Sequence, residues 1–143
     1  ALVDTLGVRD LIFTGRVDVV EYMQKLDFTI LTSISEGQPL SVLESLAARR
    51  PCVTTEVGCC RELLEGAPGD DFGIAGFVTP PMYRKGLADA MERMCASRAR
   101  RLEMGERGQR RVATCYLHEQ MLANYRALYA ETARAFNLPK KGV

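Results

Sequence analysis

The chain has 143 residues, room for one domain of ordinary size and too little for two. Apolar residues make up 47% and charged residues 26%, and 19 Lys and Arg stand against 18 Asp and Glu for a net charge of +1. That balance gives no electrostatic reason to expect nucleic acid or an anionic membrane as partner, and no apolar run is long enough for a membrane span. The first residues lack the basic lead and small-residue cleavage site of a secretory signal, and no Met stands first, so the chain reads as part of a longer cytoplasmic protein. Five cysteines, Cys52, Cys59, Cys60, Cys95 and Cys115, show no C-x-x-C spacing. They read as reduced thiols used as small core hydrophobes, with no zinc cage; a redox pair at Cys59-Cys60 would be strained.

The first two-thirds alternates short apolar runs with amphipathic segments. Leu11 to Gly15 reads as a strand, and Asp18 to Leu26 as a helix that Asp18 caps. Phe28 to Thr32 is a second strand, and Pro39 to Ala48 a helix with Leu40, Leu43, Leu46 and Ala47 turned inward. Pro51 to Thr55 is a third strand, Cys60 to Leu64 a short helix, and Gly76 to Thr79 a brief fourth strand. Strands that are apolar throughout and separated by helices indicate parallel βαβ units covered on both faces. The last third reads as three helices, Tyr83 to Ser97, Arg98 to Cys115 and His118 to Phe136. Their apolar stripes read as core: Leu87, Met91, Met94 and Cys95 on the first, and Met121, Leu122, Tyr125, Leu128, Tyr129 and Phe136 on the third. The tail from Asn137 to Val143 stops that helix. The fold class is therefore α/β, a Rossmann-like parallel sheet followed by C-terminal helices. It forms a single partial domain, with βα units over 1–80 and helices over 81–143.

The informative stretch runs from Ser33 to Ala48, where a strand hands over to a helix. Ligands of open parallel sheets bind at the carboxyl ends of strands. Pro39 suits a first helical turn, and the free amides of Leu40 and Ser41, backed by the helix dipole, make an anion site suited to phosphate. Glu36 precedes this helix and Glu44 lies one turn along it. A carboxylate beside bound phosphate needs its own donors, and vicinal sugar hydroxyls supply them. A nucleotide-sugar has that shape: phosphate in the middle and hydroxylated rings on either side. Spacing alone leaves a plainer reading open, in which both glutamates are solvated charges.

The segment Glu36-x7-Glu44, followed by Ala47-Ala48 and Pro51-Cys52-Val53, resembles the donor-binding signature of the family 4 retaining glycosyltransferases, which have the GT-B fold of two Rossmann-like domains. The wording from Thr32 to Glu44, with Gly58-Cys59-Cys60-Arg61-Glu62-Leu63-Leu64, is similar to the PelF branch, which serves exopolysaccharide synthesis. Phe13-Thr14-Gly15-Arg16-Val17 is similar to the strand that touches the nucleobase. The resemblance spans about Leu11 to Pro80. It implies that Glu44 holds ribose hydroxyls and that Glu36, the catalytic candidate, contacts hydroxyls of the transferred sugar. It also implies that backbone amides from Gly37 through Gln38 and Leu40 to Ser41 contact sugar and diphosphate. Arg16 and Val17 would hold the base through their backbone. The implied donor is UDP-glucose, with no metal and no other cofactor, because amides and basic side chains neutralise the diphosphate. The acceptor sugar stays unspecified.

Two departures follow. Arg49 stands where the family commonly has Gly, at a helix end where a left-handed residue costs Arg about 1 kcal/mol. The family's diphosphate-binding Arg and Lys lie upstream of Ala1, so the expectation is the latter part of a C-terminal donor domain. Residues Ala1 to Gly7 would then end a helix, two strands would be absent between Leu11–Gly15 and Phe28–Thr32, and an acceptor-binding N-terminal domain and an exopolysaccharide-synthesis complex would be partners. Such a piece is expected to be inactive alone. A second class remains open: a Rossmann-like module that binds nucleotide or a partner protein without chemistry.

Elsewhere, Asp71-Phe72-Gly73 lacks the context of a kinase magnesium motif and reads as a loop. Adjacent Asp70-Asp71 reads as solvated. His118 has no catalytic partner in the sequence. Arg98, Arg100, Arg101, Arg107, Arg110 and Arg111 read as a solvated helix face, part of it, with the Tyr125/Tyr129 face, available to a second domain.

Overall fold

The computed structural model describes residues 2–136, so the expected tail lies outside the described residues. A one-turn helix α1 (Leu2–Thr5) opens the chain, in keeping with the expected helix end. Helix α2 (Val19–Met23) begins at Asp18, whose carboxylate accepts the Glu21 N–H at 3.0 Å. Three parallel strands follow, β1 (Thr29–Leu31), β2 (Cys52–Thr55) and β3 (Gly76–Thr79), in spatial order β1-β2-β3. Helix α3 (Leu40–Ala47) joins β1 to β2, and α4 (Cys60–Glu65) joins β2 to β3. Three helices complete the chain: α5 (Arg84–Cys95), α6 (Arg98–Cys115) and α7 (His118–Ala135).

Strand β2 is buried at every position, as a central parallel strand covered on both faces requires. Cys52 joins Val42, Leu46, Leu63, Leu64 and Ala75 in one cluster, against α3, α4 and α6. Val53, pointing the other way, joins Ala90, Met94 and Met104, against α5 and α6. Each fully buried Leu contributes roughly 1.5–3 kcal/mol. Helix α6 packs close to α3 because it carries Gly105 and Gly108. A methyl at Gly105 would overlap the Arg49 carbonyl oxygen, and one at Gly108 would overlap the Leu46 side chain.

Several expectations need correction. Leu11 to Gly15 is not a strand, and Ile12 and Phe13 are 81% and 80% exposed. A strand is defined by the ladder it shares, and no neighbour among the described residues offers one. On α3 the inward face is Val42, Ser45 and Leu46, whereas Leu40 and Ala47 are exposed and Leu43 is half-buried. On α5 the buried positions are Ala90 and Met94, with Leu87 and Met91 packed at the edge and Cys95 exposed. The α7 stripe is not core: Met121, Leu122, Tyr125, Leu128, Tyr129 and Phe136 are all exposed. Helical periodicity shows that a face is apolar, and it does not name what covers that face.

The arginine run also divides. Arg98, Arg100 and Arg110 are exposed, but Arg111 is fully buried and its guanidinium donates to Asp70 at 2.6 and 3.0 Å. It donates further to the Leu63, Leu64 and Gly73 carbonyls, closing the end of α4 and the loop after it. Asp70 is thus an ion-pair partner, while Asp71 is exposed. Residues 71–73 form loop, with Arg110 over the Phe72 ring.

All five cysteines are free. Cys52 and Cys60 are buried, Cys59 is half-buried, and Cys95 and Cys115 are exposed against the expectation of core packing. Burial pushes the Cys52 thiol up to about 11 and raises Cys59 and Cys60 as well, which keeps them protonated near neutrality. No helix among the described residues is long and apolar enough to cross a membrane.

Candidate donor site at the start of helix α3

The loop between β1 and α3 lies at the carboxyl end of the sheet, the side on which parallel sheets take ligands. Pro39 is buried with φ −72° and ψ 114°, so it stands just before α3 and not inside its first turn. The first amides to find a carbonyl are those of Val42 and Leu43, both on the Pro39 oxygen. Leu40 and Ser41 are left with no backbone acceptor among the described residues, as the first turn of a helix dictates. Gly37, Gln38, Leu40 and Ser41 are all exposed, so the helix opens to solvent and not into packed protein.

Glu36 is half-buried and accepts the Ser33 hydroxyl at 2.6 Å. Ser33 is itself held, its carbonyl accepting the Thr55 hydroxyl at 2.6 Å. On the far side of the loop, the Gly37 carbonyl accepts the Cys59 N–H at 3.0 Å. That approach needs Gly58, which sits at φ +51° and where a methyl would overlap the Gly37 and Glu36 carbonyl oxygens. The catalytic candidate is therefore carried on a loop pinned to β2 at one end and to the start of α4 at the other.

Glu44 is exposed and lines a groove of about 380 Å³ between α2 and α3, with Val19, Val20, Met23, Gln24, Ala47 and Ala48. Arg16 and Val17 are exposed in the segment that leads into α2 and do not line this groove. Gln38 and Leu40 line a different groove, of about 510 Å³, with Leu43 and residues of the α6–α7 junction that include Tyr116, His118 and Asn124. Glu36 lines neither groove. The structure thus sets the helix start between two open grooves, with Glu44 in one, Gln38 and Leu40 in the other, and Glu36 on the loop that precedes the helix.

Sequence reasoning passed over three residues here. Ser33 and Glu36 have the spacing by which a hydroxyl and an acidic group meet at helix starts, and that signal was readable. Gly58 follows a strand and opens a short helix, a place where a positive φ is common. His118, set aside for want of a partner, is brought to the same groove as Gln38 by the turn between α6 and α7, which no local pattern reveals. Arg49, in contrast, takes the left-handed conformation expected of it, φ +59°. The turn closes with Arg49 N–H on Leu46 O at 2.9 Å and Arg50 N–H on Ser45 O at 2.8 Å. Among the described residues, no three of the His, Cys, Asp and Glu side chains gather as a metal site.

The model of the family described as Glycosyl transferases group 1 matches residues 1–97. The chain belongs to this family. Over 135 residues it is 27% identical to the N-acetyl-alpha-D-glucosaminyl L-malate synthase of Bacillus anthracis, covering 93% of this chain and 34% of that protein. Its structure superposes on sucrose-phosphate synthase from Thermosynechococcus elongatus with a TM-score of 0.76 at 26% identity, covering 91% of this chain and 33% of the other. The C-terminal domain of a group 1 glycosyl transferase, LpcC of Francisella tularensis, shares the fold with a TM-score of 0.64 at 20% identity, over 82% of this chain and 60% of that one. The α/β class and the GT-B C-terminal architecture follow from these neighbours. This group 1 domain spans only the 34% and 33% of the two longer relatives that it matches.

Proposed function

We propose that the start of α3 is the nucleotide-sugar donor site of a retaining glycosyltransferase of the family 4 type. One observation carries the reading. In a chain of the group 1 family, a helix at the carboxyl end of a parallel sheet opens to solvent with two amides lacking backbone acceptors, and Glu36 and Glu44 stand before and along it. The diphosphate rests on the amides from Gly37 to Ser41, where the helix dipole and N–H groups offset its charge with no metal ion in the proposal. Glu44 takes the ribose hydroxyls in the α2–α3 groove, with the base near Arg16 and Val17. Glu36 grips the transferred sugar, and Gln38 and Leu40 border it on the other side. UDP-glucose is the proposed donor and a PelF-like role in exopolysaccharide synthesis the proposed setting, in the cytoplasm. The relative named for an N-acetylglucosaminyl malate product makes UDP-N-acetylglucosamine the donor to test beside it.

The test is donor hydrolysis by the full-length protein with each UDP-sugar, against Glu36→Ala and Glu44→Ala. Glu44→Ala should raise donor KM by roughly 10- to 100-fold, as losing charged hydrogen bonds to two hydroxyls does. Glu36→Ala should act chiefly on kcat. If both variants hydrolyse donor as well as the parent, the site assignment fails; a parent that binds UDP but hydrolyses no donor makes the non-catalytic module the better reading.

A further inference from the structure

Helix α2 forms one wall of the Glu44 groove, yet it is five residues long and buries none of them. A helix that short has no stability of its own in water. What ties it to α3 is Arg50, whose Nε donates to the Met23 carbonyl at 3.0 Å and whose Nη2 donates to the Gln24 carbonyl at 2.9 Å. These carbonyls close the end of α2, at the negative end of its dipole; the Met23 carbonyl also accepts the Leu26 N–H at 3.3 Å, so Arg50 adds a second donor there.

Arg50 is itself aimed by a chain of contacts. The turn through left-handed Arg49 delivers it, and its carbonyl accepts the buried Ser45 hydroxyl at 2.8 Å. Ser45 in turn meets the Thr29 hydroxyl of β1 at 2.6 Å. The clamp spans 26 to 27 residues of sequence and fixes α2 against the same helix that carries Glu44.

We infer that Arg50 is a positioning residue for the nucleoside side of the donor site: it touches no ligand, and it holds the α2 wall at the distance from Glu44 that a ribose and base require. This inference rests on the donor-site reading above. It assigns specificity for the nucleoside half to a contact outside the Glu36–Glu44 segment.

The experiment is calorimetry with UDP on the full-length protein, its Arg50→Met and Arg50→Lys variants, and donor kinetics on the same three. Arg50→Met should weaken UDP binding and raise donor KM about tenfold, the loss of one or two charge-assisted hydrogen bonds, with kcat at saturating donor little changed. Arg50→Lys, able to reach one carbonyl, should recover part of the loss. Amide exchange should quicken in α2 on Arg50→Met and stay slow in α6. If the parent binds UDP and Arg50→Met binds it equally well, the positioning role is wrong while the donor site stands. If weakened binding comes with an equal loss of protection in α6, Arg50 serves stability alone and the inference is overturned. A parent that binds no UDP overturns both readings.

Discussion

Arg111 shows how much one residue can decide. Its side chain and that of Asp70 are 0% and 7% exposed, and five hydrogen bonds use its donors. Breaking such a pair strands a charge in the interior, and Arg111→Met should cost about 3–5 kcal/mol in a urea titration. The pair also makes stability depend on acid. The Arg111 guanidinium holds the Asp70 carboxyl below its ordinary value of 3.8, with burial opposing. The folded form therefore releases this proton more readily than the unfolded chain. The contribution is complete above pH 3.8 and is lost as pH falls through the depressed value. Melting temperature in the parent should fall more steeply below that pH than in Asp70→Asn, which starts lower and has no such charge to lose. Equal slopes would show that the pair does not govern acid stability. None of this was legible in the sequence, where Arg111 is the last of a run of arginines whose spacing suits a wet helix face. The distinction lies in contacts 41 residues away.

At the scale of elements, the close crossing of α6 over α3 depends on two missing side chains. Gly105→Ala should force α6 away from the Arg49 carbonyl and destabilise the fold by about 1–3 kcal/mol, read as a lower urea midpoint with unchanged slope. A midpoint at or above the parent's would mean that the helices are not held at that distance. Elements set by local rules were readable: the Asp18 cap, the turn at Arg49, and β2, whose Cys52, Val53 and β-branched threonines suit a strand buried on both faces. Elements defined by a partner were not. Leu11 to Gly15 has strand composition but shares no ladder, and α3 is turned so that Ser45 and Val42 face inward where Leu40 and Ala47 were expected. Ser45 is tolerated there because Thr29 and the Arg50 carbonyl satisfy its hydroxyl.

For the whole molecule, the exposed apolar side chains include two continuous stretches, the segment from Leu11 to Phe13 and the face of α7. Neither belongs to the two buried clusters. If the donor proposal is right, the isolated chain holds the surfaces that meet one substrate and little that positions a second. Residues 1–143 alone should then transfer no sugar and bind UDP weakly in calorimetry; tight binding would show that these residues suffice for the donor. The parallel strand–helix alternation from β1 to β3 and the strand–helix junction at Glu36 were legible in the sequence, since both follow from pattern and connection. The division of the junction into two grooves was not, because it depends on where α2 and α7 come to rest.

The seat of the Glu36 loop has a further implication. Its hold on the start of α4 passes from the main chain at Cys59 to the main chain at Gly37, across a position where nothing may protrude. The main-chain bond at Cys59 does not depend on its side chain, whereas any substituent at Gly58 would meet the Glu36 and Gly37 carbonyls. Substitution there would displace the seat of Glu36, because Gly58 meets the carbonyls of that loop directly.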